Sequence, residues 1–225
     1  MKNTIIQDTR ENAEYRDSRV DYFITQGYKV ELKKLDIGDY AIKGKPDRVV
    51  DFKMNIQEMI GNIQDSTISK SKIKRNVARM CENYGVPEEK ASMIYDTIIA
   101  DDLVVDVEPM LQELCEDAGF EPMQCLHIRN LYRAHRTRLH RLLVKAKRRG
   151  VKLYFLIANT DRVKDLESLK EWKNPRLRIS PKAMTGERLA KAMQTISERY
   201  GAEFIFTTPE EQGEMILKIL EGEDD

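Results

Sequence analysis

The chain predicts an α/β fold, a mixed sheet flanked by helices and carrying a helical insert. Three observations lead there. Residues 1–63 alternate apolar strands with amphipathic helices, residues 64–126 hold only short amphipathic helices, and the strand–helix rhythm returns over 127–225. Taken in order, Thr4-Ile5-Ile6 gives a first strand that ends in the polar cluster Asp8-Thr9-Arg10-Glu11. Arg16 to Gln26 follows as a helix closed by Gly27. Tyr28–Leu35, Tyr40–Lys43 and Arg48–Lys53 read as three strands separated by glycine, proline and aspartate turns. Ile56, Met59, Ile60 and Ile63 then fall on one side of a helix.

The middle segment is broken near Gly85-Val86-Pro87, Asp101-Asp102, Pro109 and Gly119. After it, a long basic helix runs to Arg149, and Val151–Ala158 is an apolar strand. Helices are expected over Leu166–Lys173 and Gly186–Tyr200, a strand over Ala202–Thr207 and a last helix over Pro209–Leu220. The sequence thus divides into an α/β domain, 1–63 with 127–225, and a helical insert, 64–126.

Charged residues make up 34 % of the 225-residue chain, and 38 bases cancel 38 acids. No global basic field announces a polyanionic partner, but charge is segregated locally. Lys70–Arg79 carries five bases and no acid, and Arg129–Arg149 carries nine and no acid. Glu88–Glu121 holds eleven acids against Lys90 alone, and Glu210–Asp225 seven against Lys218. A protein that grips phosphate needs only one basic face. Leu131, His135, Leu139, Leu142, Leu143 and Ala146 recur at helical spacing, and Arg133, Arg136, Arg138, Arg141, Lys145, Lys147 and Arg148 mostly lie outside that stripe. A solvated face is the usual fate of a charge run. Nine uncompensated bases favour phosphate contact instead, with Lys70, Lys72, Lys74 and Arg75 as a second group.

Cys81, Cys115 and Cys125 form no Cys-x-x-Cys pair and leave one unpaired in any disulfide scheme, so reduced structural thiols are expected. No apolar leader or long apolar span is seen, and a cytoplasmic protein without membrane association is expected.

The chemistry-bearing stretch is Gly38-Asp39-Tyr40 followed by Val49-Val50-Asp51-Phe52-Lys53. In a strand, Asp51 and Lys53 project to one side, roughly 6–7 Å apart, while Val50 and Phe52 face a core. Carboxylates hold a hard divalent cation, and a neighbouring lysine steadies or deprotonates the attacking water, as phosphodiester hydrolysis requires. Asp-x-Lys alone is a common pattern, and a surface strand with alternating charges is the simpler reading of that triplet.

The surrounding motifs add weight. Ile5-Ile6-Gln7-Asp8-Thr9-Arg10-Glu11, Leu35-Asp36-Ile37-Gly38-Asp39-Tyr40 and Val50-Asp51-Phe52-Lys53 are similar to the "IIxDTRE", "LxxGDY" and "ERK" or "DRK" segments of the XPF-type branch of the PD-(D/E)xK nucleases. Arg138-Leu139-His140-Arg141, the strand Lys152–Ile157 and the closing Tyr200–Phe206 and Glu210-Glu211 stretches resemble the later parts of that family. The order of the motifs and their places at strand ends give the resemblance its specificity; it covers about two-thirds of the chain and omits the insert.

The resemblance implies a restriction-endonuclease-like fold and a Mg²⁺- or Mn²⁺-dependent endonuclease that cuts branched or flap DNA. It implies a role in recombination, repair or phage DNA processing, in a bacterial or phage-infected cell. Carried across, Asp39 and Asp51 are metal ligands and Lys53 the catalytic lysine. Asp8 and Glu11 stand where further acids flank the metal, Asp8 as a ligand, and Arg10 contacts phosphate or braces those acids. A turn or cap is the other reading of Asp8. Three departures are visible: Phe52 replaces an arginine, Gln57 replaces a trailing aspartate beside Glu58, and the insert separates the catalytic strand from the basic helix. Without a helix-hairpin-helix module, branch recognition falls to the insert, the basic helix or a homodimer. The acidic insert either shapes DNA entry by repulsion or binds a basic protein partner. The runner-up function is a catalytically inactive DNA-binding protein on the same fold.

Overall fold

The computed structural model describes the backbone of residues 3–10, 13–64, 70–99, 107–135 and 138–223, and the side chains of 3–10, 18–63, 71–99, 109–132 and 138–223. The elements begin with β1 (Thr4–Gln7), α1 (Ala13–Thr25), β2 (Lys29–Leu32), β3 (Tyr40–Ile42), β4 (Lys45–Lys53) and α2 (Ile56–Gln64). Next come α3 (Lys70–Asn83), α4 (Glu88–Ile99), α5 (Val107–Asp117), α6 (Pro122–His135) and α7 (Arg138–Arg148). β5 (Lys152–Ala158), α8 (Leu166–Lys170), a 3-10 turn (Pro175–Arg178), α9 (Gly186–Tyr200), β6 (Glu203–Thr207) and α10 (Gln212–Glu221) complete the chain. Two compact units result, one of residues 1–63 with 142–225 and one of residues 64–141.

The first unit is α/β, as the sequence predicts. Its six-stranded mixed sheet has the order β2-β1-β3-β4-β5-β6. β1 and β4 are antiparallel to β3 between them, and the remaining pairs are parallel. Alternation along β4 and β5 sends Val50, Phe52, Tyr154 and Leu156 into one core with Phe23 of α1 and Ile216, Leu217 and Leu220 of α10. Phe155 and Ile157 are fully buried on the opposite side of β5, so the central strand is covered on both faces.

α8 and α9 approach so closely that only glycine fits at position 186. A Cβ there would lie 2.1 Å from the Leu169 carbonyl oxygen and 2.6 Å from that of Trp172. Both obstacles are backbone, which cannot swing aside. Gly186→Ala is therefore expected to cost about 3 kcal/mol through overpacking, read as a lowered urea midpoint at unchanged slope.

The second unit is helical. Ile73 and Val77 of α3, Ile94 and Ile98 of α4, Leu111 of α5, and Ile128 and Tyr132 of α6 share one buried core. All three cysteines lie in that core as free thiols. The basic run predicts one long helix to Arg149 and an insert ending at residue 126. The structure has two helices there, and the helical unit extends to Arg141. The reason is amphipathic: α6 turns Cys125, Ile128 and Tyr132 towards α3, α4 and α5. α7 has its own apolar stripe of Leu139, Leu143 and Ala146. Among the described residues no helix is long and apolar enough to cross a membrane.

Candidate active site

The proposed catalytic segments converge because of strand register. Gln7, ending β1, pairs with Tyr40, opening β3, and Tyr40 pairs with Val50 of β4. Asp8, Asp39 and Asp51 are thereby brought to one end of three adjacent strands. Main-chain bonds fix the arrangement: Asp8 N–H donates to Asp39 O at 2.8 Å, and Asp39 N–H to Val50 O at 2.7 Å. The Asp39 carboxylate closes it, its Oδ2 accepting Phe52 N–H at 2.8 Å. This approach needs Gly38, whose φ is +63° and whose missing Cβ would sit 2.8 Å from Val50 O.

Asp51 and Lys53 share one face of β4, opposite Val50 and Phe52, but they do not line an open surface. They are only 8 % and 7 % exposed, so the simpler reading of a solvated strand does not hold. The Lys53 ammonium contacts Asp51 Oδ1, donates to Phe52 O at 3.2 Å and lies 3.9 Å from Glu58 Oε1. Burial pulls the Lys53 pKa down. The fields of Asp51, Asp39 and Glu58, with the Asp51 contact, outweigh it and hold the pKa above the ordinary lysine value. At neutral pH the side chain is an ammonium that can stabilise negative charge.

Asp8 is fully buried, and both its oxygens are engaged. Oδ1 accepts from Arg10 N–H at 2.7 Å and Arg10 Nε at 2.8 Å, and Oδ2 from Arg10 Nη2 and Leu35 N–H, each at 2.7 Å. The sequence offered ligand and turn-former for Asp8, and this geometry is that of a brace. Arg10 also donates to Leu35 O at 2.7 Å, tying the end of β1 to the loop before Gly38. Burial pushes the Asp8 carboxyl up, but the Arg10 side chain and the N–H groups of Arg10 and Leu35 together bring it below its ordinary value. A lowered folded-state pKa stabilises the fold above the unfolded value, about 3.9, and the contribution fades as pH falls through the folded value. Asp8→Asn is expected to cost about 2 kcal/mol at pH 7, and the gap to wild type should narrow below about pH 3.9. Urea titrations at several pH values would show it; a gap independent of pH would refute the assignment.

The other proposed residues are dispersed. Lys145 of α7 lies 3.4 Å from Asp36 Oδ2, and Arg149 lies 3.0 Å from the same oxygen, so these bases hold the Leu35–Asp39 loop. Arg138, Arg141 and Arg148 are exposed on α7, and Lys72, Lys74 and Arg75 on α3. Lys74 Nζ sits 5.8 Å from the centre of the Tyr95 ring. Glu11 and Arg136, and the side chains of Lys70 and Arg133, lie outside the described residues.

Two contributions were not read from the sequence. Glu58, not Gln57, faces Lys53, while Gln57 Nε2 donates to Asn174 Oδ1 at 2.7 Å. A signal existed in Asn55-x-x-Glu58: Asn55 Oδ1 accepts from Glu58 N–H at 2.9 Å, and Glu58 Oε2 accepts from Met54 N–H at 2.9 Å, fixing the start of α2. The second is Arg19 of α1, 1 % exposed, whose guanidinium carbon lies 4.1 Å from the centre of the Phe52 ring. A lone arginine in a helix gives no sequence signal for that contact.

No protein-family model matches this chain, and none of the curated proteins matches it. Asp39, Asp51 and Glu58 are hard oxygen donors suited to Mg²⁺ or Mn²⁺. Among the described residues no three acids, histidines or cysteines already surround a common point.

Proposed function

We propose that this chain is a divalent-metal-dependent endonuclease that hydrolyses phosphodiester bonds in branched or flap DNA. The observation that carries the reading is the meeting of Asp39, Asp51 and Lys53 at one strand end, with the lysine buried against the acid. Burying charge is costly, and a purely structural strand would fill these positions with apolar side chains. Asp39 and Asp51 would hold Mg²⁺ or Mn²⁺. The bound ion supplies Lewis acidity and lowers the pKa of water. The Lys53 ammonium stabilises negative charge developing on the phosphoryl oxygens, in a site whose low exposure strengthens the interaction. Glu58 adds a further acid beside Lys53, and the Asp8–Arg10 brace keeps the Asp39 loop in place. Arg138, Arg141 and Arg148 offer phosphate contacts, and recombination, repair or phage DNA processing in the cytoplasm is the setting the motifs suggest.

The deciding experiment is cleavage of labelled single-stranded, duplex, flap, fork and four-way-junction DNA with Mg²⁺, Mn²⁺ or EDTA. Metal-dependent cutting of branched DNA, lost by at least about a hundredfold in Asp51→Asn and Lys53→Met, is expected. Wild-type cutting by a folded Asp51→Asn protein would refute the site. A second reading, a non-cleaving DNA-binding protein on the same fold, draws on Phe52, which lies in the core where related motifs carry a cation. Tight, salt-sensitive DNA binding without cleavage or Mn²⁺ affinity would favour it.

A further inference from the structure

The helical unit has a groove of its own. It lies between α3 and α6, has a volume of about 280 Å³, and is lined by Asn76, Arg79, Met80, His127, Asn130 and Leu131. Helical spacing explains the grouping. Asn76, Arg79 and Met80 are three and four residues apart on α3, as are His127, Asn130 and Leu131 on α6. The residues of α3 and α6 that face the core instead are Ile73, Val77, Cys81, Cys125, Ile128 and Tyr132.

Among the described residues, Asn76, Arg79, His127 and Asn130 make no side-chain hydrogen bond or ion pair, so their polar capacity is unspent. Among the described residues no acid lines the groove, although the same unit is rich in acids. Lys72 and Arg75 are exposed on α3, four residues before Asn76 and Arg79 respectively, within the same helical stripe. The groove therefore combines a positive charge, two amides that each donate and accept, and an apolar floor from Met80 and Leu131.

We propose that this groove binds one nucleotide of a single-stranded nucleic acid. A phosphate meets Arg79, the flat face of an unpaired base lies on Met80 and Leu131, and the Asn76 and Asn130 amides bond its edge. A duplex hides base faces in its stack and fits this description less well. The occupant rests on the reading that the chain works on nucleic acid, but the groove gives the helical unit a task separate from the chemistry of β4: holding the unpaired strand that branched or flap DNA exposes.

The test uses the full chain in EDTA, with the fluorescence anisotropy of a short labelled single-stranded oligonucleotide. Arg79→Ala is expected to weaken binding about tenfold at low salt and to reduce the slope of log K against log salt by about 0.7. Asn76→Ala/Asn130→Ala is expected to weaken binding about tenfold with the slope unchanged, because neutral amides release no counterions. Lys182→Ala, exposed in the other unit, should bind as wild type. Both groove variants within twofold of wild type, with unchanged helical circular dichroism, would overturn the proposal. So would competition by dAMP at the same nucleotide concentration as the oligonucleotide, which would assign the groove to free nucleotides. Cleavage separates this from the nuclease reading. Oligonucleotide binding lost in the groove variants of a chain that cuts nothing keeps the groove and removes the nuclease. Cutting lost in Asp51→Asn with groove variants unaffected in binding does the reverse.

Discussion

Asp51→Asn is expected to destabilise the protein by about 3 kcal/mol, while Asp51→Asn/Lys53→Met recovers most of that loss. The single change leaves the Lys53 ammonium buried without its contact partner, and desolvation is then poorly offset. Asp39 and Glu58 still contribute their fields, which keeps the cost at the lower end for a broken buried pair. The double variant removes the charge together with its partner and fills the space with an apolar chain of similar length. A urea double-mutant cycle measures the coupling directly. A cycle coupling near zero would mean that the pair does not exist in solution. The pH dependence has a definite sign. Because the folded Lys53 pKa is raised, the pair's contribution is complete below the ordinary lysine value, about 10.4, and disappears as pH climbs through the folded value. This result also governs how cleavage data are read. A solvated strand would let Asp51 or Lys53 be replaced without loss of folding. The burial of both residues makes the stability of each variant part of the experiment, and the double variant the better inactive control.

Gly38→Ala is expected to be at least as damaging. A methyl at residue 38 would meet Val49 Cγ1, only 2.4 Å away, and Val50 O at 2.8 Å. Its φ of +63° adds about 1–2 kcal/mol for any residue with a Cβ. The valine could rotate, but the carbonyl belongs to β4 and accepts the Asp39 N–H at 2.7 Å. Relief therefore requires the loop to lift, which breaks that bond and moves Asp39 away from Phe52 N–H. A total cost of about 3 kcal/mol is expected in urea unfolding, together with loss of any metal-dependent cleavage. A Gly38→Ala protein that unfolds at the wild-type urea concentration would show that the loop is free to move.

These expectations differ in how much of them could be read along the chain. Strand alternation places Val50 and Phe52 in the core and Asp51 beside Lys53, and helical periodicity marks α2, α7 and α9. Local patterns suffice there because each element carries its own apolar stripe. Boundaries were less legible at α6, whose basic residues suggest continuity with α7 while its apolar residues belong to the helical core. Glu58 was half-legible, through its capping pattern. Arg19 and the Asp36–Arg149 contact were not, since the latter joins residues 113 positions apart.

What the sequence by itself determined is the α/β class, the helical segment between its two parts, and the placement of Asp39 beside one strand and of Asp51 and Lys53 on another. Periodicities of two and 3.6 residues, with glycine and proline at the breaks, are local properties and are written into neighbouring residues. Only the tertiary structure decided that β3 lies between β1 and β4, that Asp8 spends both oxygens on Arg10 and Leu35, and that the Asp51–Lys53 pair is buried. Those outcomes depend on which strands pair and in what register, and pairing is set by the summed burial of distant apolar faces, which no short stretch of sequence contains.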